Sequence, residues 1–385
     1  MMFYMSTCKK RDTGYSYLNP ADVYVPALRP LALPAFSCHH IRMKALVMTK
    51  PGEFAFEDRP MPVPKNDEIL FKVLKVGVCG TDLHAFQGTQ PLFTYPRVVG
   101  HELAVQVAEI PASAKNAAGD LKEGDIVSIL PYMRCGNCIA CRNGKPNCCT
   151  SLKCLGVPVD GGMQEYISLP AFYAVPSGKV KPQDITLVEC FAIGFHGVRR
   201  GNPSQGDVAL VVGAGPIGIG VIHGLKERGA KVIAMDINDK RLAYAKDIAG
   251  AEYTINSLSN DPEKVLADIT GGELSPLVID ATGNQGQMMK AFNYASAGGA
   301  VVYVGLVRAD ITFNDPLFHV KELTLMGSRN ATKDDFADVI AGIESGRVNT
   351  SGFVTHTATI DEAPSQFPLW IKPETGCIKA VVSID

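Results

Sequence analysis

The sequence lacks any apolar run long enough to span a bilayer as a helix, which takes about 20 residues. Its longest such run, residues 208–222, is broken by Gly213, Gly215, Gly218 and Gly220. It also lacks a charge excess of either sign. A formal net charge of −2 and the absence of a basic stripe leave no electrostatic reason to bind nucleic acid or an anionic membrane surface. No internal repeat is present, which argues against solenoids and propellers. Near the N-terminus, Lys9, Lys10 and Arg11 are followed by Asp12 and polar residues, not by the apolar stretch of a secretory signal. Asp12 and Asp22 count against an acid-poor mitochondrial presequence. Residues 1–42, with Pro20, Pro26, Pro30 and Pro34 and no sustained period, are expected to form a disordered leader, with Met43 a candidate start.

A chain of 385 residues exceeds what one hydrophobic core usually serves, so two domains are expected. There are eleven cysteines, and five of them fall within residues 135–149, four at the spacing of metal ligands, a clustering that suits a metal better than disulfide bridges. That favours a reducing compartment, and the cytoplasm is the expected location. From residue 43 the pattern is regular. Residues 44–48, 69–76, 103–110 and 125–130 read as strands of an irregular lobe, with residues 60–64 a proline-punctuated link. Near residue 205 the character changes. Six short apolar strands (208–212, 231–236, 253–255, 277–280, 300–304 and 323–326) alternate with helical patterns at 216–228, 239–249 and 263–270. This alternation predicts an α/β fold with a doubly wound, parallel, six-stranded sheet. A helix at 333–344 and a strand at 378–383 follow, and the latter could return to the first lobe.

Gly213-Ala-Gly215-Pro-Ile-Gly218 lies between the first of these strands and the next helix. In that setting Gly213 permits a tight turn, Gly215 lets the backbone approach a pyrophosphate, and Gly218 lets the helix pack on the strand. Pro216 and Ile217 open the helix, whose N-terminus would hold the phosphates. Asp236 ends the second strand, where a carboxylate bonds ribose hydroxyls and repels a 2′-phosphate. NAD is therefore expected over NADP, with Arg241 nearby in the following helix. Cys135-x2-Cys138-x2-Cys141-x7-Cys149 fits a closed tetrahedral zinc site, structural because no ligand position is left open. Cys148 is adjacent, but the spacing prefers Cys149.

Cys79, in Val78-Cys-Gly-Thr-Asp-Leu-His84, and His101-Glu102 are weak signals alone. With the nucleotide motif and the four-cysteine loop, in this order, the chain from Met43 onward resembles the zinc-containing medium-chain dehydrogenases of the alcohol dehydrogenase superfamily. The resemblance implies a Rossmann NAD-binding domain at 191–329 and a GroES-like catalytic domain at 43–190 and 330–385. It implies a catalytic zinc held by Cys79 and His101, with Glu102 as ligand or close support. Glu189 is the further ligand of the polyol branch, whose text around Leu187-Val-Glu-Cys-Phe191 and His196-Gly-Val-Arg-Arg is similar; Cys190 stands next to it. Asp82 would orient a ligand. Thr81 and His84 match the hydroxyl and imidazole of a proton relay. Two zinc ions per chain, a small-molecule substrate and a homodimer or homotetramer are implied.

Residues 89–97 and 327–332 look like sugar-acid members of the family, the L-galactonate 5-dehydrogenases among them. Oxidation of a secondary hydroxyl on a polyol or aldonate is therefore expected, with Arg329 a candidate for a substrate carboxylate. The alternatives are an L-threonine 3-dehydrogenase or a general alcohol dehydrogenase. Outside the class stand a zinc-ribbon nucleic-acid binder, which the charge balance opposes, and a non-catalytic zinc- and nucleotide-binding relative, which retention of Cys79, His101, Glu102 and Glu189 opposes.

Overall fold

The computed structural model describes residues 42–91 and 93–384. The leader expectation for residues 1–41 lies outside the described residues, as does Leu92; Arg42 opens the strand Arg42–Lys50.

The first lobe is built on a seven-stranded sheet. Its long central strand, Glu68–Val78, is rich in β-branched and aromatic residues and pairs antiparallel with Glu102–Glu109 and Tyr166–Pro170. Ala380–Ser383 also pairs antiparallel with it, Ala380 opposite Val78, so the tail does return to this lobe. Several strands escaped the sequence reading, Tyr166–Pro170 and His356–Thr359 among them, and Glu53–Pro60 shows one reason. Glu53–Pro60 pairs with Arg42–Lys50 but has no buried residue, and without an apolar face it carries no period-two signal.

The second lobe holds six parallel strands. Numbered along the chain from Val208–Val212 to Thr324–Gly327, they stack in the order 3-2-1-4-5-6. Val208–Val212 shows why both faces are covered: Ala209 and Val211 belong to one core cluster, Leu210 and Val212 to another on the opposite face. Strand order reverses between the first and fourth strands, which opens a crevice at their carboxyl ends.

Several helices were not read from the sequence, the short Gly80–Phe86 and Pro182–Ile185 among them. Ala363–Trp370 contains Pro364 and Pro368, which masks the helical pattern. Val188–Gly201 is buried along most of its length, with only Arg199 and Arg200 fully exposed at its end. It packs on Pro216–Glu227 at Gly194, where a Cβ would stand 2.4 Å from the Gly220 carbonyl carbon. This helix carries Glu189 in its first turn. Among the described residues no helix is long and apolar enough to cross a membrane.

Candidate active site

The glycine turn has the geometry a dinucleotide needs. Gly213 has φ +95°, which other residues resist. A Cβ on Gly218 would stand 1.8 Å from the Gly213 carbonyl oxygen, so helix and strand close up only with glycine there. A Cβ on Gly215 would meet nothing within 4 Å; this residue borders open space. Gly215 caps the helix, Pro216 takes its first turn and Ile217 follows half-buried, leaving first-turn N–H groups without helical partners. Asp236 closes the second strand. Its Oδ2 accepts from the Ala214 N–H at 2.7 Å and its Oδ1 from the Asn238 N–H at 2.9 Å, which ties the turn to the strand end. Gly213, Gly215, Asp236 and Arg241, with Thr282 and Asn284, line one cleft of about 320 Å³.

The ligand atoms of Cys135, Cys138, Cys141 and Cys149 all lie within 4.8 Å of one another. Cys138 Sγ is 3.5 Å from Cys141 Sγ, and Cys149 Sγ is 3.4 Å from Cys135 Sγ. Four sulfurs about 2.3 Å from a tetrahedral zinc stand about 3.8 Å apart, so the set fits that ion. Backbone N–H groups of Cys141 and Thr150 aim at Cys138 and lower its pKa to about 5, which favours the thiolate a metal binds. Cys148 is exposed and not part of the cluster.

The second cluster is buried. Donor atoms of Cys79, His101 and Glu102 also lie within 4.8 Å of one another. Cys79 caps the helix Gly80–Phe86, and Asp82 in its first turn fixes two ligand-bearing loops: Oδ2 accepts from the Cys79 N–H at 2.9 Å and Oδ1 from the Gly100 N–H at 3.3 Å. His101 Nδ1 faces Asp82 Oδ1 at 3.9 Å, beyond hydrogen-bond reach. Burial works against a charged His101, but the Cys79 thiolate and Asp82 outweigh it and hold its pKa well above the usual imidazole range. Both carboxylate oxygens of Glu102 accept from Lys379 Nζ at 2.6 Å, and Lys379 also donates to the Val78 carbonyl at 3.3 Å. Gly77 makes room: a Cβ there would stand 2.2 Å from Glu102 Oε2.

Glu189 stands near this cluster but not among its three closest donors. Tyr132 donates to its Oε1, while Oε2 is buried without a partner among the described residues, as is His101 Nδ1. A buried unpaired carboxylate oxygen is costly unless something else engages it, and a sulfur, nitrogen and oxygen donor set suits zinc. The Cys190 thiol instead donates to the Leu187 carbonyl at 3.2 Å. Thr81 is half-buried on the Gly80–Phe86 helix, and His84 is exposed with Nδ1 3.2 Å from Thr89 Oγ1. Arg329 is exposed on the turn after the sixth strand. Of its polar neighbours, Thr332 proves to be a helix cap bonded to Asp335.

Residues 65–179 match the alcohol dehydrogenase GroES-like domain, and residues 216–345 match the zinc-binding dehydrogenase domain. The chain is 42% identical to L-galactonate-5-dehydrogenase of Escherichia coli (strain K12) over 314 residues, 82% of this chain and 91% of that protein. The chain belongs to the zinc-type alcohol dehydrogenase family. Among solved structures, this dehydrogenase is similar to the rspB alcohol dehydrogenase of E. coli CFT073, solved with NADH: TM-score 0.82, 30% identity, covering 89% of this chain and 99% of that one. It is also similar to a zinc-binding dehydrogenase of Sinorhizobium meliloti 1021 solved with NADP: TM-score 0.81, 26% identity, covering 89% and 100%.

Sequence reasoning missed three residues beside the cluster of Cys79, His101 and Glu102. Lys379 interrupts the apolar C-terminal strand, and a lysine inside such a run is a signal, because it must find a buried counter-charge. Tyr132 follows a proline with nothing to mark it. Cys154, its thiol pushed up to about 12 by burial, against the pull of His101 and with Glu189 and Cys79 adding to the rise, was one of many cysteines outside the spaced set. The two cysteine candidates make a simple test. Cys149→Ser is expected to lower the zinc content of the purified dehydrogenase by about one ion per chain, and Cys148→Ser to leave it unchanged. Equal losses would break the assignment.

Proposed function

We propose that the dehydrogenase oxidises a secondary hydroxyl of a polyol or sugar acid, an aldonate such as L-galactonate, and passes the hydride to NAD, with one zinc at each cysteine-bearing cluster. The reading is carried by the buried set of Cys79, His101 and Glu102 with the unpartnered Glu189 Oε2 beside it. The likeness to the E. coli L-galactonate-5-dehydrogenase supports the substrate class. A cytoplasmic homodimer or homotetramer is part of the same reading.

A zinc bound here would supply a Lewis acid for the substrate hydroxyl, and a bound nicotinamide would supply the hydride acceptor. The remaining work falls to the chain. Cys79, His101 and Glu189 would hold the metal; Lys379 engages both oxygens of Glu102, leaving Glu102 as support beside His101. Asp82 fixes the backbone at Cys79 and Gly100. Thr81 takes the proton and His84 releases it to solvent. Thr89 Oγ1 donates to the His84 carbonyl at 3.2 Å, so its oxygen is left to accept from His84 Nδ1–H, and Nε2 remains the free base. Asp236 selects NAD by repelling a 2′-phosphate.

Initial rates on aldonates, neutral polyols and L-threonine, each with NAD and NADP, test the reading. Aldonates with NAD are expected to turn over fastest. Arg329→Ala is expected to lower kcat/KM for aldonates by about tenfold to a hundredfold, the range for a lost charge-assisted hydrogen bond, and to leave neutral polyols within about twofold. Equal rates with NADP would reject the role of Asp236, and turnover of L-threonine alone would reject the substrate class.

A further inference from the structure

The four-cysteine loop does not end at its metal. Asn147, between Cys141 and Cys149, is only 5% exposed. Its Nδ2 donates to the Arg329 carbonyl at 2.9 Å and lies 3.0 Å from His196 Nε2, and its own carbonyl accepts from Asn330 Nδ2 at 3.1 Å. His196 Nδ1 lies 2.8 Å from Asp335 Oδ2, and Asp335 also accepts from Arg199 Nε at 2.8 Å and Thr332 Oγ1 at 2.7 Å. Burial opposes ionisation of Asp335, but these donors outweigh it and hold its pKa at about 2.

Counting hydrogens settles the tautomer. Asn147 Nδ2 carries two, one for the Arg329 carbonyl and one for His196 Nε2, so Nε2 accepts and Nδ1–H donates to the carboxylate. Every donor in the chain of bonds then meets an acceptor. Asn330, which the clamp grips, has φ +53°, a left-handed conformation that an L-residue keeps only when its surroundings hold it there.

The gripped turn lies where a cofactor would feel it. The Ser328 N–H donates to the Tyr303 carbonyl at 2.8 Å, which places the turn at the carboxyl ends of the fifth and sixth strands. In a doubly wound sheet of this order, strands four to six form the second mononucleotide-binding half.

We propose that Asn147 is a positioning residue, through which the folded four-cysteine loop sets the turn Ser328–Asn330 and thereby the grip on the nicotinamide half of the cofactor. This rests on the reading that the cleft binds a nicotinamide dinucleotide. It assigns the four-cysteine loop a part in cofactor binding, beyond stabilising its own lobe.

The test is fluorescence titration with NADH on the zinc-loaded full chain, with zinc analysis and amide hydrogen exchange across residues 328–331. Asn147→Ala removes the clamp from the loop side. Asn330→Gly removes the turn's own bond to the Asn147 backbone carbonyl while keeping the left-handed backbone free of strain, so it tests the loop–turn contact from the other side should Asn147→Ala not fold. Both are expected to raise the dissociation constant for NADH about tenfold, the upper range for a lost hydrogen bond, to speed exchange at 328–331, and to keep the zinc of the four-cysteine loop. A purely structural contact would lower the melting temperature without moving NADH affinity, and that result, in variants of a wild type that binds NADH, overturns the clamp alone. A wild type that does not bind NADH overturns the dinucleotide reading and the clamp together.

Discussion

Replacing Cys79 with alanine is expected to lower turnover by about a thousandfold or more. Polarisation of a substrate oxygen by a bound metal is worth several kcal/mol, and each 1.36 kcal/mol, roughly, is a factor of ten in rate. Cys79 is one of three donors that lie within 4.8 Å of one another; in the proposed ligand set its loss leaves only His101 and Glu189, since both oxygens of Glu102 already accept from Lys379. The effect should be local. The four-cysteine loop and the glycine turn stand on other segments of the chain, so zinc analysis should show one ion lost and NADH titration should be near wild type. His101→Ala should behave alike. Turnover within tenfold of wild type in either variant would remove this cluster from the chemistry.

Lys379→Met is expected to be the most damaging substitution for stability, by about 3–5 kcal/mol. The side chains of Lys379 and Glu102 are 2% and 0% exposed, so removing the lysine leaves a buried carboxylate without the ammonium that both its oxygens contact. A buried pair is not itself a large source of stability, because desolvation offsets most of the Coulomb attraction. The double variant Glu102→Gln/Lys379→Met should therefore recover much of the loss, since neither remaining group is charged. Urea unfolding midpoints at matched zinc content measure this. A double variant as unstable as the single one would show that Lys379 matters through packing instead.

The fold was legible wherever local pattern and burial agree. The strand Val208–Val212, the strand Lys231–Asp236 and the helix Lys333–Glu344 stand where the sequence predicts them, because a parallel strand is apolar on both faces and an amphipathic helix repeats. Glu53–Pro60 was missed because it has no buried residue, and a strand without an apolar face writes no period into its residues.

The site divides in the same way. Candidate ligands that lie close in sequence are visible in sequence, because a loop able to fold around one ion carries its donors at short spacing. Cys135, Cys138, Cys141 and Cys149 are of this kind, and so is the run from Gly213 to Gly218, whose spacing is set by one turn and one helix start. The sequence alone determined these, along with the alternation that dictates a parallel sheet. Only the tertiary structure decided which groups satisfy one another across long separations. Glu102 and Lys379 are 277 residues apart, and Asn147 meets Arg329 across 182. The physical reason is common to both: a buried charge or amide demands a partner but does not specify where in the chain it lies, so the sequence announces the need and only packing names the residue that meets it.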